Sequence, residues 1–411
     1  MTQTTTSACL ATPEERTDLS VAILTGGIDP PYVFGLTMAL ASKGIQLDVI
    51  GSDLLDRPEM HSLPQLRFLN LQRSATATLS HATRAWNVLA YYWRLLRYVA
   101  TAEPRVFHIL WNNKLWLLDR TLLLLYCRAM GKRLVFTAHN VNSGKRDQTD
   151  SLLNRITLRL QYHLVDHVFV HTDLMKAELA REFAVSERVI TVIPFGINNS
   201  VPDTTLTRFQ ARERLAIKEH EQVVLFYGRI APYKGLDILL SAFKQVLRHR
   251  DCRLVIAGEP KGDSEKYTTN IRDAIRSEAL REQVTARLEF IPDEDTEVYF
   301  KAADVAVLPY TSIFQSGVLF LAYRFGLPVI ASDVGSFRLD IVEGQTGFLC
   351  RPCDAGDLAR TINKYFDSPL FKSLAERRQF IRQYAETRQS WDVIGAETRG
   401  VYVQLLNGQS L

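Results

Sequence analysis

Short runs rich in β-branched residues alternate with stretches of helical periodicity along almost the whole chain, and that alternation leaves few folds open. The first seven runs are Ser20 to Thr25, Leu47 to Gly51, Arg67 to Leu71, Val106 to Trp111, Arg133 to Ala138, Asp166 to His171 and Val189 to Ile193. A second series follows at Val223 to Tyr227, Arg253 to Ala257, Arg287 to Ile291, Asp304 to Pro309, Val329 to Ser332 and, shorter, Gly347 to Cys350. Strands alternating with helices build doubly wound parallel sheets. The chain therefore reads as α/β, with two Rossmann-like domains facing each other across a cleft.

At 411 residues the chain exceeds a single core and suits two domains of about 200 residues each. Residues 1–19 read as a disordered tail and 20–200 as the first domain. The segment 201–221, polar and carrying Pro202 and Asp203, reads as a linker. Residues 222–380 form the second domain, and 381–411 read as helices returning to the first.

A formal charge of +4 is too slight to argue for nucleic acid. Five cysteines make no disulfide framework, and the lone Cys350-x-x-Cys353 pair lacks a second pair for zinc. Met1 to Ser20 has no apolar core, so a cytoplasmic location is expected. The longest apolar stretch, Leu115 to Met130, is broken by Asp119, Arg120 and Arg128 and is not a membrane span.

Open α/β sheets bind ligands at the C-terminal ends of their strands. After Val223 to Tyr227 come Gly228, Arg229, Ile230, Ala231, Pro232, Tyr233, Lys234 and Gly235, just before a helical pattern. Glycine, a guanidinium, an ammonium and a helix N-terminus together make a diphosphate receptor. Gln315, Ser316, Gly317 and Val318 open another helix. Its free amides suit a phosphate, or else Ser316 merely caps it. The first strand runs into Gly26 and Gly27, which either let a ligand approach or form a tight turn; they do not complete a dinucleotide fingerprint. His139 ends the fifth strand and either points into the cleft or is structural. His108 reads as a core histidine, and helix packing accounts for His163, His167 and His171.

In order along the chain, Gly26 and Gly27, Thr137-Ala-His-Asn140, Ile193-Pro-Phe-Gly-Ile-Asn198, Gly228-Arg229 with Lys234-Gly235, Ala257-Gly-Glu259, Gly326 to Ser332, and Gly344, Thr346, Gly347 and Asp354 resemble a GT-B glycosyltransferase of family 4, the group 1 glycosyltransferases. The resemblance runs from about Val21 to Tyr402. It implies a nucleotide diphosphate sugar, UDP- or GDP-linked, held mainly by the second domain, an acceptor in the first, and transfer with retention. Arg229 and Lys234 would neutralise the leaving diphosphate, Gly27 would approach it through the backbone, His139 would lie beside the transferred sugar, and Glu259 near the base or ribose. A glycan or lipid-linked acceptor of bacterial exopolysaccharide or lipopolysaccharide synthesis is expected. No Asp-x-Asp closes a strand, so metal independence and no cofactor are expected.

One departure stands out. Many relatives carry two glutamates eight positions apart in the phosphate turn, whereas this chain has Ile313 and Leu321 there. Gln315 is the one long polar side chain nearby that could replace the sugar contact. The missing pair also keeps open a non-catalytic sugar-nucleotide binder, and the fold itself keeps open an epimerase. Finally, Arg84 to Ala100 has helical spacing, with Trp86, Leu89, Trp93 and Leu96 on one stripe and Arg84, Asn87, Tyr91, Arg94 and Tyr98 on another. It either covers the sheet or touches the inner membrane leaflet.

Overall fold

The computed structural model describes residues 19–26, 29–72, 80–113, 115–147, 149–262 and 265–408. Apart from Leu19, the tail expected over 1–19 lies outside the described residues, as does Gly27.

The first domain contains seven strands: β1 (Ser20–Leu24), β2 (Gln46–Ser52), β3 (Leu66–Gln72), β4 (Val106–Ile109), β5 (Arg133–Thr137), β6 (His167–Val170) and β7 (Ile190–Val192). They lie in the order β3-β2-β1-β4-β5-β6-β7, all parallel. The second domain has β8 (Gln222–Tyr227), β9 (Cys252–Ala257), β10 (Val284–Arg287), β11 (Val305–Leu308), β12 (Val329–Ser332) and β13 (Gly347–Cys350). Their order is β10-β9-β8-β11-β12-β13, again parallel. Helices cover both faces, which is why the central strands are apolar on both sides. In each sheet the winding reverses once, between β1 and β4 and between β8 and β11. Those two gaps are where such sheets receive ligands.

One strand is displaced from its expected position. The sequence places it at Arg287 to Ile291, but the pairing runs Val284 with Leu254 through Arg287 with Ala257. Gly258 N–H then donates to Arg287 O at 3.0 Å and the chain leaves the sheet. The apolar Leu288 to Ile291 run is a loop whose Phe290 is exposed.

The segment 201–221 is not a free linker. Thr207 and Gln210 form a capping box that starts a helix at Arg208–Arg214. From it Arg212 reaches Asp304 at 3.0 Å and Arg208 reaches the other carboxylate oxygen at 2.7 Å. Val223 N–H donates to the same Asp304 carboxylate at 2.8 Å, tying the helix to the start of β8. The segment is part of the second domain.

The return to the first domain comes later than residue 381. Ile381 and Ala385 of helix Leu374–Arg388 are buried in the second domain's core. Helix Trp391–Leu406 is the one that packs on the first among the described residues, against helix Pro30–Ser42. Trp391 sits where a Cβ on Gly35 or Gly196 would lie 2.2 or 2.4 Å from its ring, and its Nε1–H donates to Ile197 O at 2.7 Å.

Helix His81–Thr101 begins at Ser80, whose hydroxyl accepts from Thr83 N–H. It buries Tyr91, Tyr92, Leu95 and Val99 toward the sheet, while Trp86, Leu89, Trp93 and Leu96 are exposed. Sheet covering and an outward apolar stripe therefore coexist on one helix.

Candidate active site

The two reversal points meet across the cleft. Phe195, after β7, contacts both sides: its ring lies 5.0 Å from that of His171 and 6.3 Å from Phe320. A Cβ on Gly317 would lie 3.3 Å from it.

On the second-domain side, Gly228 (φ 106°) and Gly258 (φ 149°) let the ends of β8 and β9 approach; a Cβ on Gly258 would lie 2.0 Å from Gly228 O. Glycine is required there by backbone against backbone. Arg229 emerges at this point, and its Nη2 lies 3.3 Å from Glu259 Oε1, both side chains substantially exposed. Such a pair contributes at most about 1 kcal/mol, so a diphosphate can compete for Arg229.

Lys234 is buried, donates to the Tyr310 hydroxyl at 2.7 Å and lies 3.9 Å from the centre of that ring. Burial, followed by the charges of Arg146 and Arg229, lowers its ammonium pKa to about 7. It is a cation short of an anion. Ser316 does not cap helix Gly317–Arg324 through its side chain; its hydroxyl lies 3.5 Å from Tyr310 Oη instead. The amides of that helix start remain available for an anion. Val318 Cγ2 lies 3.2 Å from the Cβ position of Gly228, which brings the two phosphate-turn segments together. Gln315 Oε1 is buried without a hydrogen-bond partner among the described residues. Leu321 is buried in the core, so a glutamate there would lack water or a counter-ion.

On the first-domain side, Gly26 (φ 61°) is explained by packing, since a Cβ there would lie 2.7 Å from Trp111 O. His139 follows β5 and stacks on Trp111, with ring centres 3.9 Å apart and planes 3° from parallel. Its Nδ1 lies 3.0 Å from His171 Nε2, and His171 Nδ1 lies 3.3 Å from Ile193 O. Burial holds the His139 pKa well below the usual value, helped by the neighbouring His171 and His108, and takes His171 to about 4. Both rings are neutral at pH 7. A carbonyl only accepts, so His171 Nδ1–H donates to Ile193 and its bare Nε2 accepts from His139 Nδ1–H. The consequence is an unprotonated His139 Nε2, buried and unpartnered among the described residues. It can accept one hydrogen bond from a donor.

His171 bonds His139 and Ile193 O, a partnership that the sequence reading, which gave it to helix packing, did not contain. His108 is structural: its two ring nitrogens meet Tyr402 Oη and Thr137 Oγ1. Sequence reasoning also missed Arg146, read as part of a polar loop. Helix Ser143–Arg146 places it 4.6 Å over the Tyr233 ring, while Asp147 pairs with Lys261 across the cleft at 3.5 Å.

Beside His139 the first domain holds a cavity of about 510 Å³ lined by Trp111, Asn112, Asn113, Trp116, Arg120 and Asn154, among others. Amides and indoles of this kind suit hydroxyl-rich rings.

Residues 31–201 match the family described as Glycosyltransferase Family 4, and residues 207–388 match Glycosyl transferases group 1. The D-inositol 3-phosphate glycosyltransferase of Gordonia bronchialis is 26% identical over 374 residues, covering 88% of this chain and 80% of that protein. Among solved structures, the sucrose-phosphate synthase of Thermosynechococcus elongatus superposes with TM-score 0.76 at 22% identity, covering 95% of this chain and all of that one. Anabaena HepE in complex with UDP-glucose gives 0.71 at 16% identity, covering 93% of this chain and all of that one. The likenesses in structure establish the fold, and the two family matches span both domains. The chain belongs to the group 1 glycosyltransferases, enzymes of the GT-B fold that use nucleotide sugars.

Proposed function

We propose that the chain is a retaining, metal-independent glycosyltransferase that moves a sugar from a UDP- or GDP-linked donor to a hydroxyl of a glycan or lipid-linked acceptor, in bacterial exopolysaccharide or lipopolysaccharide assembly. The observation that carries this reading is the opposition of two unlike ends. Arg229, buried Lys234 and the open start of helix Gly317–Arg324 gather on one side, and neutral His139 beside a polar cavity lies on the other.

Breaking an anomeric bond puts negative charge on the departing diphosphate and positive charge on the sugar. Arg229 and Lys234 meet the first demand without a metal. His139 Nε2 accepts from the sugar and, being uncharged, does not oppose the developing positive charge. Glu259 reaches toward the base or ribose once Arg229 is drawn to phosphate, and Gly27 approaches the diphosphate through its backbone.

Incubating the protein with a panel of UDP and GDP sugars, with and without EDTA, tests the donor side. Turnover abolished by EDTA and restored by magnesium or manganese would overturn metal independence. Proton NMR of the product's anomeric centre tests retention, and an inverted linkage would overturn it.

A second reading of the acceptor rests on Arg120, whose Nε is buried without a partner among the described residues and whose side chain lines the cavity. The Gordonia relative is named for inositol 3-phosphate, and a guanidinium suits such a phosphorylated polyol. Transfer to soluble inositol phosphates in preference to lipid-linked acceptors would favour it.

A further inference from the structure

Three helices lie side by side over one face of the first sheet: His81–Thr101, the continuous run from Trp116 to Ala129 with a π-helical stretch at Asp119–Leu123, and Leu152–Leu164. Tyr92 Oη donates to Asp119 at 2.9 Å and Tyr126 Oη to Leu96 O at 3.2 Å, joining the first two. Arg120 donates to Asn154 at 2.7 Å, joining the second and third.

Each helix buries an inward stripe, yet the outer surface is apolar as well. Leu122 and Leu125 of the middle helix and Ile156 and Leu160 of the third are exposed alongside Trp86 and Trp93 of the first. Fourteen of the 22 exposed large apolar side chains among the described residues fall between Trp86 and Leu160. A concentration of this kind marks an interaction surface, whereas the others scatter singly.

Charge identifies the occupant. The three helices carry seven arginines, no lysine and one acidic residue, Asp119, which is buried. Arg128 and Arg155 pair with Asp166 and Asp150, and Arg94 and Arg120 turn to Leu71 O and Asn154. Arg84, Arg97 and Arg159 are exposed on the face, so two copies would oppose like charges, which disfavours self-pairing. Arg97 lies 5.8 Å over Trp93 and Arg120 lies 4.9 Å over Trp116, so cationic heads sit beside indoles, as suits a headgroup layer. Among the described residues no helix is long and apolar enough to cross a membrane. The face fits a surface that is apolar below and anionic above.

We propose that this three-helix face docks on an anionic phospholipid bilayer and, resting on the glycosyltransferase reading above, that it holds the cavity at headgroup level for a lipid-linked acceptor. Trp116 belongs to both the face and the cavity wall, so an acceptor anchored in the bilayer has a short path to His139.

The test is co-sedimentation of the full chain with phosphatidylcholine vesicles, with and without phosphatidylglycerol, in the absence of any nucleotide sugar. At least about tenfold stronger partition onto the anionic vesicles is expected. Replacing Trp86, Trp93, Leu125 and Ile156 together with serine should weaken it by about a hundredfold or more. Arg97→Gln and Arg159→Gln should weaken it about fivefold each. Phe290→Ser and Leu339→Ser, exposed on the second domain, serve as controls and should leave it unchanged. Should the quadruple variant fold poorly, quenching of wild-type tryptophan emission by lipids brominated in the acyl chain decides the matter without any substitution.

Equal partition of wild type and variant, no preference for anionic vesicles, no quenching, or a dimer that the quadruple variant dissolves would each overturn the docking. Failure to bind vesicles by a chain that turns over sugar nucleotides removes the docking and leaves the enzyme. Vesicle binding by a chain inert toward every donor removes the enzyme reading and leaves the docking.

Discussion

His171 Nε2 lies 3.0 Å from His139 Nδ1, and that contact decides which nitrogen of His139 is left unprotonated as an acceptor. On the proposed function, in which His139 meets the transferred sugar, His171 is a positioning residue for that ring. His171→Ala should lower turnover about tenfold to a hundredfold by letting the His139 ring turn and change tautomer. His171→Gln, whose amide can accept from His139 and donate to Ile193, should recover part of the loss. Equal losses in the two variants would point to packing alone.

Burial also places a group of histidines at risk from acid. His108 is lowered to about 3 and His167 and His171 to about 4, in each case chiefly by desolvation, and His139 is lowered well below its usual value. The unfolded chain binds these protons near pH 6.5, whereas the folded chain refuses them until much lower pH. Their contribution is therefore fully present above about pH 6.5 and is lost as pH falls, each costing roughly 1.4 kcal/mol per pH unit. Urea unfolding at about pH 7.5 and about pH 5.5 should show a loss on the order of 4 kcal/mol. Equal stability at the two values would mean that these rings are more hydrated than their burial indicates.

Most of this arrangement is legible in the sequence, for a physical reason. Strands buried on both faces must be apolar runs, so β5, β8 and β11 announce themselves, and the ends of β5 and β8 announce His139, Arg229 and Lys234. The edge strand β10 does not, because Thr285 and Arg287 are only partly buried, Ala286 is exposed, and the apolar residues follow it in a loop. His171 and Arg146 escape for another reason. Their partners, His139 and Tyr233, are supplied by neighbouring strands or the opposite domain, and no spacing along the chain records that adjacency.

Arg212 tests whether 207–221 is structural to the second domain. Its guanidinium is buried and meets Asp304 and the carbonyls of Ala302, Lys218, Glu219 and Glu221. Arg212→Ala leaves those acceptors without their donor, and a loss of roughly 3–5 kcal/mol in unfolding free energy is expected. A change below about 1 kcal/mol would mark the segment as the loosely held linker that its polarity suggested.

Gln315 carries a buried amide oxygen without a partner among the described residues, in the turn where the usual glutamate is absent. If it takes up a sugar hydroxyl, Gln315→Ala should raise the donor KM about threefold to tenfold, the worth of one hydrogen bond. Unchanged KM and turnover would leave it a loop residue.

Lys234 gives the sharpest pH signature. With its pKa lowered to about 7 by burial and the nearby Arg146 and Arg229, it is mostly neutral at about pH 8 in the free protein. A bound diphosphate supplies the missing negative charge and draws a proton onto it. Calorimetry of UDP or GDP binding at about pH 8, in two buffers of different ionisation enthalpy, should therefore register uptake of close to one proton. Affinity should fall toward tenfold per unit as pH rises above about 7. The ligand-free protein should show the opposite trend. Its unfolded state keeps this lysine protonated up to about pH 10.5 while its folded state does not, so the lysine's contribution to stability rises with pH between about 7 and about 10.5. Lys234→Met should abolish both trends and the proton uptake, and weaken nucleotide binding. Uptake that persists in Lys234→Met would assign the proton to another group, with the phosphate itself the first to examine.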